Sequence, residues 1–350
     1  MTTTTLTRPD ARPWTPAGAR GYGHQILDDA TRREFLAGLA AAGLLAACGD
    51  GTGGTGGSEA TGPGFPRDVD HEVGSTRIEA PPTRVGCVTD GGELAAVLAL
   101  GVTPVGFGQR NDPLTPWTAA AGGDDSAIER YLLAGEPNFE VMAAWRPDVL
   151  LGQLGFVTTD TIADYQAIAP TVATQSVEWR VSLGQVAAAL GLERRAEKIV
   201  ADIEARTAAV ADALSPLQGR SIAVLQLIDD GRISEYFSNS TFGLLLDELG
   251  LSALPAAPEQ EAGAGVQDNQ EVVPERLGDV DAEVIIVLDS TEADPLDTLA
   301  ANPLWANLPA VRSGEVAVLS ADTSNALRIG TALSVPFALD ALETELGVLA

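Results

Sequence analysis

From residue 84 onward the chain alternates short apolar runs with segments whose apolar residues return every three or four positions. The runs at 84–88, 103–106, 148–152, 171–173, 221–227, 284–288 and 316–319 have the length and, in most cases, the Val, Leu and Ile content of buried strands. Helical spacing fills the intervals at 93–100, 138–145, 165–168, 182–190, 241–249 and 332–346. Gly101, Gly191 and Gly250 directly follow three of these segments, where a left-handed glycine commonly stops a helix. Alternation of this kind predicts an α/β fold with a mostly parallel sheet.

One segment breaks the rhythm. Residues 193–214 read as an uninterrupted helix with Ala196, Ile199, Val200, Ile203, Val210 and Leu214 on one face. Thr207 fills the gap in that stripe. At 1.5 Å per residue such a helix spans about 33 Å, enough to cross a domain. Pro216 ends it. Two α/β halves joined by one long helix follow. The halves also repeat: Glu140 opens a helical turn and Asp148 precedes a strand eight residues later, and Glu275 and Glu283 stand in the same relation. Acids at helix starts are favoured by the helix dipole, which is the plain alternative to a functional role.

The N-terminal region follows another logic. Thr31 to Asp50 reads TRREFLAGLAAAGLLAACGD, with 13 apolar or small residues from Phe35 to Ala47. A membrane span needs about 20 residues, whereas the apolar core of an export signal needs about 7–15 behind a basic segment. Arg32-Arg33 with Phe35-Leu36 resembles a twin-arginine export signal, and Leu45-Ala46-Ala47-Cys48 resembles a lipoprotein cleavage box. The expectation is a signal peptide over 1–47, removed to leave Cys48 as the lipidated first residue, then a flexible Gly- and Thr-rich tether over 48–65. Cys87, the other cysteine, is expected as a buried free thiol on a strand, so the domain folds without a disulfide.

Removing 1–47 takes five basic and four acidic side chains from the totals of 21 and 49 and leaves a net charge of −29. Nucleic acid is excluded as a partner, because it demands clustered Lys and Arg. His71 is the one histidine left, expected at the surface, and neither a His-rich metal site nor a plausible Ser-His-Asp triad can be assembled. No direct metal ligands and no catalytic residues are assigned, and no cofactor is called for.

The segments EPNFEVMAAWRPDVLL, VPERLGDVDAEVIIV and NPLWANLPAVRSGEVAVLS, with the long midpoint helix, resemble the iron–siderophore and vitamin B12 class of ABC-importer substrate-binding proteins. The resemblance runs from about Arg84 to the C-terminus. It implies two Rossmann-like lobes, 66–182 and 217–350, joined by a bridging helix region at 183–216, with a ligand cleft between them. It also implies that Glu140 and Glu275 dock on arginines of the permease. The implied partners are a ferric siderophore, an ABC permease with its ATPase, and the outer face of the cell membrane through lipid alone, with the protein itself a monomer.

A ferric siderophore needs aromatic walls and arginines that donate to its oxygens. In an open α/β sheet these belong in loops after strands. That rule selects Arg110 and Trp117, Trp179 and Arg180, Arg232 and Tyr236, and Arg328. Each has a local alternative: Trp179 as packing under the bridging helix, Arg180 as a cap or local pair, Arg232 as a surface ion pair. Trp145 and Trp305 are assigned to the core. The acidic field opposes polyanionic chelates and favours neutral or cationic trihydroxamates, although salt limits it to about 8–10 Å and local arginines override it. Cobalamin or haem is the competing ligand, haem being disfavoured because Met142 and His71 are poor axial ligands. An exported α/β lipoprotein enzyme and an adhesion lipoprotein are the competing classes.

Overall fold

In the computed structural model the described residues are 64–110, 113–175, 178–227, 232–254, 269–289 and 294–350. Arg32, Arg33, Cys48 and nearly all of the tether lie outside them.

The chain enters through an antiparallel hairpin, β1 (Arg67–His71) and β2 (Gly74–Ile78). The first lobe then holds β3 (Val85–Cys87), α1 (Gly92–Ala99), β4 (Gly106–Gln109), β5 (Glu129–Leu132), α2 (Phe139–Ala144), β6 (Val149–Gln153), α3 (Ile162–Gln166) and β7 (Thr171–Thr174). Its five strands run parallel in the order β5-β4-β3-β6-β7. Helices α4 (Trp179–Leu190) and α5 (Glu193–Ala213) follow. The second lobe holds β8 (Ser221–Leu227), β9 (Ile233–Tyr236), α6 (Thr241–Glu248), β10 (Ser252–Leu254), β11 (Asn269–Val272), β12 (Val284–Leu288), α7 (Pro295–Ala300), α8 (Pro309–Ser313), β13 (Val316–Leu319), α9 (Ala321–Ile329) and α10 (Ser334–Leu346). Its sheet runs β11-β9-β8-β12-β13, with β10 parallel to the start of β8 and β9 and β11 antiparallel.

The central strands are apolar throughout because both faces are covered. Ile222 and Val224 of β8, and Val284, Ile286 and Leu288 of β12, join one core. Ala223, Leu225, Ile285 and Val287 point the other way into a second. In the first lobe Val149 and Leu151 face the shared core, while Leu150 joins Met142 and Tyr165 beneath α2 and α3. The shared core runs through both lobes and takes in Ala196, Ile203 and Val210 of α5. At 21 residues α5 is about 31 Å long. Thr207 is buried with the stripe, and its hydroxyl donates to the carbonyl of Ile203 at 3.0 Å, which satisfies it.

The internal repeat has a structural reason. Asp148 accepts from the backbone N–H of Thr83 at 2.8 Å and of Arg84 at 2.9 Å, fixing the start of β3. Glu283 accepts from the N–H of Ser221 at 3.0 Å, fixing the start of β8. Each acid therefore ties its own strand to the neighbour it pairs with. Gly101 (φ +66°) and Gly250 (φ +73°) end the first helix of each lobe in the left-handed region.

Two expectations are corrected. The strand placed at 103–106 lies at Gly106–Gln109, beneath Trp145, whose ring occupies the space a β-carbon would take at Gly106. His71 is buried, not at the surface: it ends β1 on the same inward face as Val69, with Nε2 3.0 Å from the Thr76 hydroxyl. Burial lowers its pKa, against a smaller upward pull from Asp70. The hairpin and the strands β5, β9, β10 and β11 were not read from the pattern at all. Cys87 is a buried free thiol on β3, its pKa raised well above the usual range by burial and then by Glu93. Trp145 and Trp305 are core residues.

Candidate functional site

The strand ends of the first lobe meet the second lobe across a cleft. Asp90, Gly91 and Gly92 reach it from the turn after β3, and Arg110, Thr115 and Trp117 from the loop after β4. Gln153 and Gln175 reach it from the ends of β6 and β7, and Trp179 and Ser182 from the first turn of α4. Residues 329–332, from the last residue of α9 into the turn before α10, close the opposite side. The carboxyl ends of parallel strands are where an open α/β sheet presents its ligand.

Arg110 is held from behind. Its Nε donates to Oδ1 of Asp90 at 2.9 Å and its backbone N–H to Oδ2 at 3.0 Å. The Asp90 side chain is 2% exposed and that of Arg110 is 36% exposed, so the pair has an inner acid and an outer base. The guanidinium also lies 5.8 Å from the ring centroid of Phe156. Trp117 spans the lobes: its ring centroid is 5.3 Å from that of Phe337 on α10, tilted 51°. Behind the turn, Glu93 is fully buried and takes hydrogen bonds from the N–H and hydroxyl of Thr89 at 2.9 and 2.7 Å. Burial raises its pKa; the hydrogen bonds and Arg110 oppose the shift.

Of the seven residues chosen for ligand contact, the structure brings Arg110, Trp117 and Trp179 to this cleft. Arg180 turns to an adjoining hollow that shares Trp179. Its guanidinium stacks 4.5 Å above the Trp179 ring and pairs with Glu178, Glu204 of α5 and Glu248 of α6 at 3.4, 3.7 and 3.2 Å. Arg232, Tyr236 and Arg328 line neither hollow. Arg232 is 3.7 Å from Glu271 on β11. Tyr236 falls inside β9 rather than in a loop; it is buried against Phe242 and its hydroxyl donates to Gln226 at 2.5 Å. Arg328 is exposed in the last turn of α9 and bonds Asn325 at 2.7 Å. Glu140 and Glu275 are exposed, each in the first turn of the short helix that precedes the strand paired with the first strand of its lobe's sheet, β6 on β3 and β12 on β8.

Sequence reasoning passed over Asp90, Gly92, Gln153, Gln175 and Ser182. A signal existed for the first two: TDGG at a strand end before a helix marks a turn. The glutamines and Ser182 carry no such mark.

Two lobes of α/β structure that share a core and frame a cleft at their strand ends define a solute-binding protein. The chain belongs to the periplasmic binding protein family, whose pattern matches residues 88–323. It is accordingly a binding protein and not an enzyme. It is 28% identical over 263 residues to the probable siderophore-binding lipoprotein YfiY of Bacillus subtilis (strain 168), covering 71% of this chain and 78% of that protein. It is 28% identical over 273 residues to the Fe(3+)-citrate-binding protein YfmC of the same organism, covering 73% and 79%. A periplasmic solute-binding protein from Mycobacterium smegmatis shares the fold at a TM-score of 0.67 and 23% identity, over 80% of this chain and 97% of that one.

Proposed function

We propose that this protein is the extracytoplasmic receptor of an ABC-type importer, and that it captures a ferric siderophore between its lobes and presents it to the permease. The observation that carries the reading is the cleft itself: one oriented arginine and two tryptophans at the strand ends, closed by the second lobe. Aromatic walls and a charge-assisted donor suit an oxygen-rich chelate with apolar edges. The names of two relatives, one siderophore-binding and one Fe(3+)-citrate-binding, support the ligand class. Haem fits less well, since no His, Cys, Met or Tyr is among the described residues that line the cleft.

The division into lobes at 66–182 and 217–350 with a bridge at 183–216 is part of this reading, supported by the two sheets and by the place of α4 and α5 between them. So is export by the twin-arginine route with lipidation at Cys48, for which the order and spacing of Arg32, Arg33 and Cys48 are the support. No helix among the described residues is long and apolar enough to cross a membrane. Glu140 and Glu275 dock the two lobes on the permease, and the protein acts as a monomer.

Intrinsic tryptophan fluorescence tests the reading. Saturable quenching by a ferric hydroxamate, catecholate or citrate, absent with cobalamin and haemin, is the expected result. Saturation by cobalamin alone moves the protein to the other ligand class, and quenching by none of them removes the receptor role.

A further inference from the structure

The floor of the cleft holds donors that the candidate arginines do not account for. Helix α1 begins at Gly92 with Gly91 as its N-cap, which has no side chain to cap it, and the Glu93 carboxyl takes one first-turn N–H, its own. Its other first-turn N–H groups lack intrahelical backbone partners and carry the positive end of the helix dipole. Gly91, Gly92 and the next turn line the cleft.

Two further observations point to an occupant. Ser182, across from this turn on α4, lines the same cleft and is only 4% exposed, and its Oγ has no hydrogen-bond partner among the described residues. Buried hydroxyls are seldom left in that state, because desolvation goes uncompensated. The second is Gly92 itself. A β-carbon there would meet Ser182 Oγ at 3.5 Å and the Gln175 carbonyl at 4.0 Å, which are ordinary contacts, and its φ is not in the left-handed region. Packing does not demand glycine at this helical position, where alanine is the better helix former. Gly91 differs, since a β-carbon there would stand 2.5 Å from Gln153 Oε1. The missing side chain at Gly92 leaves a cradle between the helix start and Ser182.

Nearby acids are engaged in part: Glu93 Oε1 takes the Thr89 bonds, while Glu93 Oε2, 3.1 Å from where a β-carbon of Gly91 would stand, has no hydrogen-bond partner among the described residues. Asp90 holds Arg110, and burial favours the neutral form of Glu93. The cradle therefore presents donors, and Arg110 lines the same cleft. A ligand carboxylate supplies acceptors only, with a charge that the helix end favours. These contacts act well inside the 8–10 Å over which salt screens the acidic surface, so the global field does not forbid them.

We infer that the N-terminus of α1 at Gly91 and Gly92, with the Ser182 hydroxyl, is an anion subsite that receives a carboxylate of the ferric chelate. The inference rests on the receptor reading above and names the ligand class more narrowly: chelates that carry a carboxylate.

Wild type, Gly92→Ala and Ser182→Ala are to be titrated by tryptophan fluorescence with ferric citrate and with a ferric trihydroxamate that has no free carboxylate. Both variants are expected to lose about tenfold in affinity for ferric citrate and to keep the trihydroxamate within about twofold. Both are expected to melt no lower than wild type, since one adds a helix former and the other removes an unpaired hydroxyl. Unchanged ferric citrate binding in both variants, equal losses for both chelates, or a wild type that binds the trihydroxamate and not ferric citrate overturns the subsite and leaves the receptor standing. A wild type that binds neither of these nor a ferric catecholate sinks the receptor reading, and the subsite with it. Should Gly92→Ala melt well below wild type, the packing argument is wrong, and Ser182→Ala alone decides the ligand role.

Discussion

Arg110→Ala separates ligand recognition from folding, because the structure assigns different atoms of this residue to each. The backbone N–H of Arg110 donates to Asp90 Oδ2 and survives the substitution. Of the five guanidinium N–H groups, the one on Nε is committed to Asp90 Oδ1. The four on the terminal nitrogens have no partner among the described residues and sit on the cleft wall. One charge-assisted hydrogen bond to a ligand is worth about 1.5–3 kcal/mol. At about 1.4 kcal/mol per decade, the substitution should weaken a ferric chelate by about tenfold to a hundredfold. The fold also loses something: the arginine is 36% exposed, but Asp90 is 2% exposed and loses its guanidinium partner while keeping the Arg110 backbone N–H, a cost of about 1–3 kcal/mol at about 2–4 °C in Tm per kcal/mol. Asp90→Asn removes the charge that orients the guanidinium and should cost up to about fivefold in affinity. The assay is a fluorescence titration at fixed ionic strength beside a thermal melt. A dissociation constant for Arg110→Ala within twofold of wild type, for every ferric chelate wild type binds, would refute the assignment, because the residue would then only brace Asp90.

Glu140→Arg with Glu275→Arg should abolish iron uptake in cells and leave chelate affinity unchanged; the lost helix-dipole interactions cost about 0.3–1 kcal/mol each, and normal uptake by the double variant removes the docking role. Cys48→Ser should yield a protein without acyl label that leaves the membrane fraction, whereas retention without label would make the apolar run at 35–47 the anchor. Glu93→Gln should raise the melting temperature at pH 7. The folded-state pKa of Glu93 lies above 4.5, so its contribution is stabilising below about pH 4.5 and is lost as pH rises through the folded value. The gap between variant and wild type should close on acidification to about pH 4.5, and an equal or lower melting temperature for the variant at pH 7 contradicts the burial argument.

What the sequence determined by itself was whatever depends on local periodicity. Strands β8, β12 and β13 were placed to the residue, because an apolar run bounded by polar turns has one reading when both faces are buried. Helix α5 was legible from its stripe, and the duplicated lobes from the matched Glu140 and Glu275 with their acids eight residues on. Only the tertiary structure decided the rest. Gly106–Gln109 has weak strand propensity and becomes a strand because the Trp145 ring fits over glycines that no local rule relates to it. His71 is buried because the hairpin bonds to β7, through the Thr76 hydroxyl on the Thr171 carbonyl at 2.6 Å, a contact 95 residues apart. Trp179 and Arg180 are neighbours in sequence, yet the first faces the cleft and the second is drawn toward Glu204 and Glu248 on helices far along the chain. The cleft floor was illegible for a related reason: Gly92 and Ser182 are small, have no periodic signature, and gain meaning only when two separate helix starts are brought within 3.5 Å of a side chain that is not there.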